Sequence, residues 1–187
     1  MLFLVVEKGM AERAMDILRS NGALGGTVLN ARGTASSSLL SILGFGDSKR
    51  EVILSMMEKS VWEASKESMK RLRSKGIAAL LGGEEMEREW TMIEIICEMG
   101  YGDDVMAEAR KAGASGGTII KGHGTAKEDD VKFFGYPIVS EKEVLMIVET
   151  KEKAEKITKA IESLPILSNK GKAVVFTLPV SSFVSFG

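Results

Sequence analysis

The chain has 187 residues, of which 44% are hydrophobic and 27% charged, and its formal net charge is −1. This is the composition of an ordinary globular protein, and the balanced charge gives no reason to expect nucleic acid or an anionic membrane as a partner. No apolar stretch approaches the roughly 20 residues of a membrane-spanning helix, and the single cysteine, Cys97, excludes a disulfide within the chain. We therefore expect a cytoplasmic protein that neither binds nucleic acid nor inserts into a membrane.

The first half of the chain predicts four strands and two helices. Apolar residues at Ala14, Ile17 and Leu18 have the spacing of one helix face. Ser60, with Glu63 three residues on, forms a capping box at the start of the second helix. In chain order the elements are strand Leu2–Glu7, helix Met10–Asn21, strand Thr27–Arg32, a polar segment from Gly33 to about Lys49, strand Glu51–Met57, helix Ser60–Ser74 and strand Ile77–Leu81.

The second half predicts the same order of elements. Asp103 and Asp104 stand in the first turn of its first helix, where negative charge suits the helix dipole. In chain order the elements are strand Thr91–Glu98, helix Asp103–Ala112, strand Thr118–Lys121, a loop to about Lys142, strand Val144–Glu149, helix Lys151–Leu164 and strand Ala173–Leu178.

The order β-α-β-β-α-β, met twice, predicts an α+β protein of two tandem ferredoxin-like domains, each an antiparallel sheet with its helices on one face. We expect the domains at residues 1–83 and 88–187, with a linker at 84–87. Strands such as Phe3–Val6 are apolar on both faces, and strands of that kind are usually covered on both. The face without helices should therefore pack against another sheet, from the other half or from another chain.

The chain also repeats itself in sequence. The segment Gly22–Ala35 returns as Gly113–Ala126, with eight of fourteen positions identical. A repeat period near ninety residues is too long for a solenoid unit and suits a small domain, so we interpret the halves as a duplication.

Glycines in this repeat allow two interpretations. The pairs Gly25-Gly26 and Gly116-Gly117 are typical of a helix-to-strand turn that needs positive φ, with no ligand. Gly33-Thr34 and Gly124-Thr125 stand where the second strand ends, and successive backbone N–H groups there can bind an anion. Strand ends often carry glycine without a ligand, so both readings stay open.

Gly171 and Lys172 precede the last strand as either a solvated turn or a phosphate loop. The counterpart in the first half is Lys75-Gly76, without the second lysine, so the second half should hold phosphate better. Nothing in the sequence suggests catalysis: the one histidine, His123, replaces Arg32 of the first half, which indicates a tolerant loop position. One histidine and one cysteine also disfavour a metal site.

With these motifs in place, the sequence resembles the P-II-like family of nitrogen regulatory proteins. The resemblance rests on Gly-Ala-x-Gly-Gly-Thr followed by Gly-Thr-Ala in both halves, and on the closing segment Gly171–Val180. It implies a ferredoxin-like fold, assembly into oligomers, and binding of ATP or ADP in clefts between neighbouring domains. The matching site residues are the strand-start threonines Thr27 and Thr118, the loop-base glycines Gly33 and Gly124, and Gly171 with Lys172.

The resemblance implies a signal-transduction protein and not an enzyme. It would bind an adenine nucleotide or a similar small anion, need no obligatory cofactor, form a homo-oligomer, and regulate a partner in nitrogen metabolism or transport through loops 34–50 and 125–142. Gly171, Lys172, Gly124 and Thr125 would hold phosphate, with Gly33 and Thr34 as a weaker site. Phenylalanines in these loops either contact that partner or anchor the loop. The alternatives are a scaffold oligomer that has lost its ligand and a metal-linked relative, as in the copper-tolerance branch of this architecture.

Overall fold

The structure, a computed structural model, describes residues 1–34, 48–72, 74–82, 89–123, 132–133, 136–137, 141–168 and 172–186. In these residues the chain order of elements is β1 (Leu2–Glu7), α1 (Ala11–Ser20), β2 (Thr27–Gly33), β3 (Ser48–Ser55), α2 (Lys59–Lys70), β4 (Gly76–Leu81), β5 (Trp90–Glu98), α3 (Gly102–Lys111), β6 (Thr118–His123), β7 (Lys132–Phe133), β8 (Tyr136–Pro137), β9 (Glu141–Thr150), α4 (Lys151–Glu162), α5 (Pro165–Ser168) and β10 (Ala173–Phe186).

Eight strands form one antiparallel sheet that closes on itself in the order β1-β3-β2-β6-β9-β5-β10-β4. Each half keeps the ferredoxin-like strand order, β4-β1-β3-β2 in the first and β10-β5-β9-β6 in the second. The halves join where β2 pairs with β6 and where β10 pairs with β4. The prediction of two separate sheets is therefore wrong, because the edge strands of the two halves bond to each other. The domain boundaries and the linker, of which 84–87 lies outside the described residues, stay predictions.

The apolar residues of the strands divide between the two faces of this sheet. Leu4 of β1 belongs to a buried cluster between the sheet and helices α1 and α2, which includes Trp62 of α2, and Ile95 belongs to the matching cluster under α3 and α4. The opposite faces meet inside the closed sheet, where Phe3 of the first half packs in one cluster with Met92 of the second. The expectation that the second sheet face is covered by another sheet is met by the other half of the same chain. Each such side chain contributes roughly 1.5–3 kcal/mol by leaving water.

The first helix of each half begins against a carboxylate from a neighbouring strand. Glu51 of β3 accepts the Ala11 N–H of α1 at 2.9 Å, and Glu143 of β9 accepts the Gly102 N–H of α3 at 2.9 Å. A negative charge at a helix N-terminus satisfies a free N–H group and offsets the dipole. Asp103 lies in the first turn of α3, as the sequence predicted, and it also binds Arg32 of β2 at 2.8 Å, which ties the first half to the second.

Two local predictions were wrong. The helix α2 begins at Lys59 with Glu58 as its N-cap and no side-chain cap, so Ser60 lies inside the helix and donates to Glu58 Oε2 at 3.3 Å. Positive φ falls on Gly22 and Gly113, at the helix ends, and not on Gly26 or Gly117. These two glycines are required by close approach, since a Cβ on Gly117 would lie 2.8 Å from a Leu145 methyl.

The last strand continues beyond the predicted end at Leu178 to Phe186. A strand tolerates proline, which has no N–H to donate, where the strand bulges or changes its pairing partner. Pro179 marks such a point, because β10 pairs with β5 as far as Val180 and then with β4, with an irregularity between Val180 and Ser182. The second part of β10 therefore closes the sheet.

Candidate functional site

A pocket of about 410 Å³ lies between the two halves, at the end of the closed sheet where β2 stops. The first half contributes the loop base at Gly33, the start of β3 and the segment before β4. The second half contributes the turn before β6, part of β9 and the end of β10. The apolar lining side chains are Val5, Ile77, Met146, Val148 and Phe183. The pocket thus combines a broad apolar wall with a polar rim from both halves.

The polar rim carries two cationic residues, Arg50 and Lys75. Arg50 Nε donates to Ser48 Oγ at 3.0 Å, and its Nη1 donates to the Lys75 carbonyl oxygen at 2.6 Å, so Arg50 holds the segment before β4. A Cβ on Gly33 would lie 2.7 Å from Ser48 Oγ, so a larger residue there would require the Ser48 side chain to move. Among the described residues that line the pocket there is no aspartate or glutamate. The arrangement favours an anionic ligand.

One carboxylate lies behind the rim. Glu149 of β9 accepts the Ser115 N–H at 2.9 Å and the Ser115 hydroxyl at 2.6 Å, and it is almost fully buried. Burial alone would raise the pKa of Glu149, but the hydrogen bonds from Ser115 and the nearby Lys153 ammonium together hold the pKa below its usual value. The charge of Glu149 is therefore used inside the protein to fix the turn that carries the glycine pair.

The structure brings two predicted site residues together and engages a third. Gly33 and Thr118 face each other across β2 and β6, and both line the pocket. Thr34 is buried beside them, with its hydroxyl bonded to Gly117. Its predicted part in binding phosphate stays a prediction.

Of the other predicted site residues, Thr27 and Lys172 belong to the described part of the chain, and neither lines this pocket. Thr27 is exposed at the start of β2. Lys172 lies just before Ala173, at the end of β10 remote from Phe183, with its Nζ 3.6 Å from Glu98 Oε2. Gly124, Thr125 and Gly171 lie outside the described residues, as do Phe45 and Phe134 of the loops.

Sequence reasoning missed Arg50 and Ser48. Both stand at the end of the long polar segment of the first half, and no motif distinguishes them from its other polar residues. It also ranked Lys75-Gly76 below its counterpart in the second half, whereas both residues line the pocket. The signal available was the repeat itself, which places Lys75-Gly76 where Lys170-Gly171 stands. Within the described residues, no group of histidine, cysteine and carboxylate side chains could hold a metal ion.

None of the helices in the described part of the chain combines the length and the apolar character that crossing a bilayer requires. No curated protein sequence matches the chain at a significant level. Among solved structures, GlnK from B. subtilis is similar at 19% identity and a TM-score of 0.38, covering 50% of this chain and 86% of its own. A mutant chlorite dismutase from Candidatus Nitrospira defluvii, solved in complex with cyanide, aligns at 9% identity and a TM-score of 0.28, covering 97% of this chain and 90% of its own.

The family comparison is more specific than these structural likenesses. The model of the family described as nitrogen regulatory protein P-II matches residues 90–186, which span the whole of the second half from β5 to the end of β10. This match covers more than half of the chain and includes Thr118 and the turn beside the pocket. The chain therefore belongs to the nitrogen regulatory protein P-II family.

Proposed function

We propose that this P-II family protein binds an adenine nucleotide, or a similar small anion, in the pocket between its halves and regulates a protein partner in response. Members of the family are regulatory proteins and not enzymes. The observation that carries the ligand proposal is the charge of the rim, where Arg50 and Lys75 stand with no carboxylate among the described lining residues. A pocket with one apolar wall and a few convergent polar groups is the usual form of a small-molecule site.

The two sides of the pocket suit the two ends of a nucleotide. We assign the phosphate to the rim formed by Arg50, Lys75 and the strand ends at Gly33 and Thr118, because ionised donors bond phosphate oxygens strongly. We assign the base to the apolar wall that includes Phe183. This site unites the loop base of the first half with the strand start of the second.

The repeat extends the proposal to a second site. Thr27 and Gly124 are the sequence counterparts of Thr118 and Gly33. We propose that they form the equivalent cleft together with Thr125, Gly171 and Lys172, and that homo-oligomer assembly contributes to it. A partner in nitrogen metabolism or transport would contact loops 34–50 and 125–142, in a cytoplasmic setting that suits the free, buried Cys97.

Calorimetry with ATP, ADP, AMP and cyclic di-AMP tests the ligand proposal, with Lys75→Ala as the site variant. Losing a charged donor to phosphate should weaken binding about tenfold or more. Lys70→Ala is the matched control, because Lys70 lies on the outer face of α2 and binds Glu67 at 2.8 Å. Its affinity should equal that of the unmodified chain. Absence of binding to all four nucleotides, or equal affinity after Lys75→Ala, contradicts the proposal.

One observation favours a second candidate, a scaffold oligomer without a ligand. The Gly117 N–H, which could otherwise donate to a phosphate oxygen, already donates to the Thr34 hydroxyl. In that case the pocket is only a space left where the two halves pack together. The same calorimetry separates the two candidates, since a scaffold binds none of the four nucleotides.

A further inference from the structure

Thr34 ends the pairing of β2 with β6 in an unusual way. Its backbone N–H donates to the Gly117 carbonyl oxygen at 2.9 Å, as the antiparallel ladder requires. The Gly117 N–H, however, donates to the Thr34 hydroxyl at 2.8 Å, and this hydroxyl donates to the Gly117 carbonyl oxygen at 2.9 Å. The side chain therefore takes the place that the Thr34 carbonyl would hold in a regular ladder.

The released carbonyl of Thr34 has a partner in the second half. It accepts a hydrogen bond from Arg110 Nη2 of α3. Arg32, two residues earlier, binds Asp103 of the same helix at 2.8 Å and lies 3.6 Å from Glu143. The end of β2 is thus held by the second half through both backbone and side chains.

The contacts between Thr34 and Gly117 lie on the wall of the pocket. Gly33, next to Thr34, lines the pocket from the first half, and Gly117 lines it from the second. Gly117 is tightly enclosed, because a Cβ there would lie 3.0 Å from the Met146 carbonyl oxygen. Thr34 itself is only 4% exposed. The bonds between Thr34 and Gly117 therefore join the two walls at the point where the pairing of β2 with β6 ends.

We propose that Thr34 is a positioning residue of the pocket, which aligns the two walls for an anionic ligand through its hydroxyl without touching that ligand. This inference rests on the proposed function. A ligand that contacts both walls stabilises the Thr34–Gly117 bonds, and by linkage these bonds strengthen ligand binding by the same factor. Thr34 would then couple the occupancy of the pocket to the point where the chain leaves β2.

Two substitutions at Thr34 separate the hydroxyl from the shape of the side chain. Thr34→Val keeps the shape and removes the hydroxyl, and Thr34→Ser keeps the hydroxyl. Each is titrated with whichever of ATP, ADP, AMP and cyclic di-AMP binds the unmodified chain most tightly. Because one hydrogen bond is lost and a buried N–H is left unpaired, we expect Thr34→Val to bind about tenfold more weakly, and Thr34→Ser to bind within about twofold. The control Thr177→Val, at an exposed position of β10, should not change the affinity.

Equal affinity for Thr34→Val and the unmodified chain overturns the inference while the proposed function stands. So does an affinity for Thr34→Ser that falls as far as that of Thr34→Val. If Thr34→Val does not fold, amide hydrogen exchange of Gly117 in the unmodified chain decides, since saturating nucleotide should slow it. Exchange that does not change on binding overturns the inference. An unmodified chain that binds none of the four nucleotides defeats the proposed function first.

Discussion

Glu149 is the residue on which the turn before β6 depends. Its carboxylate accepts two hydrogen bonds from Ser115, and Lys153 Nζ lies 3.5 Å away. These interactions favour the ionised form, so the pKa of Glu149 in the folded chain lies below that in the unfolded chain. A carboxyl of this kind stabilises the fold above the unfolded pKa, about 4.3 for glutamate, and loses that contribution as the pH falls through the folded pKa.

Glu149→Gln should therefore lower the free energy of unfolding in a pH-dependent way. We expect a loss of about 1 kcal/mol at pH 7, because an amide replaces an ionised acceptor. The difference from the unmodified chain should shrink as the pH falls through the folded pKa, since the carboxyl is then neutral in both states. Urea unfolding of both proteins at a series of pH values, from neutral to strongly acidic, measures this difference in the free energy of unfolding. The exposed substitution Glu155→Gln on α4 is the control, and a difference independent of pH would contradict the argument.

At the scale of elements, β10 determines whether the sheet closes. Its first part pairs with β5 and its second part with β4, so a single strand belongs to both halves. Phe183, in the second part, lies with its ring centroid 4.7 Å from that of Trp90 and also lines the pocket. Phe183 thus belongs both to the part of β10 that closes the sheet and to the apolar wall of the pocket.

Phe183→Ala should destabilise the fold by about 2 kcal/mol, from lost apolar burial and the lost ring contact. Phe176→Ala is the matched control in the first part of the same strand, where the side chain is 38% exposed. It should cost less than about 1 kcal/mol. Denaturant unfolding of the two variants gives both values. Equal losses in the free energy of unfolding would contradict this, because Phe183 would then stabilise the fold no more than an exposed phenylalanine.

The sequence predicted most elements because their signals are local. Strand Leu2–Glu7 was predicted with its observed bounds, and both halves showed the β-α-β-β-α-β order. The pairing of β2 with β6 was not predictable, because it joins residues such as Gly33 and Thr118 that are distant in sequence. Glu94 lies on the same face of β5 as the buried Met92, and burial raises its pKa.

Some pocket residues could be predicted from the sequence, and others could not. Gly33 and Thr118 were predicted from the repeat and the resemblance, since each carries a motif. Arg50 was not, because a single arginine after a polar segment has no distinguishing spacing, and its role comes from its contacts with Ser48 and the Lys75 carbonyl. Residues in recurring motifs can be found by sequence, and residues placed by the pairing of the two halves cannot.

At the scale of the whole molecule, the two halves share one interior. Val5 and Val52 of the first half pack in the same buried cluster as Ile120 and Val180 of the second. Separating the halves would expose this cluster and open both seams of the sheet. A half of roughly this size also buries too little surface to be robust alone. The sheet topology thus makes the folding of each half depend on the other.

We therefore expect the chain to unfold in a single cooperative transition. The two tryptophans report on different places, because Trp62 of α2 lies in the buried cluster between the helices and the sheet of the first half, and Trp90 packs against the shared interior. Trp90→Phe leaves Trp62 as the fluorescent probe, and Trp62→Phe leaves Trp90. In each variant the fluorescence midpoint should coincide with the far-ultraviolet circular dichroism midpoint of the same variant, as two-state unfolding requires. A fluorescence transition that precedes the circular dichroism transition in either variant would mean that the halves unfold independently, and that the closed sheet adds little to their stability.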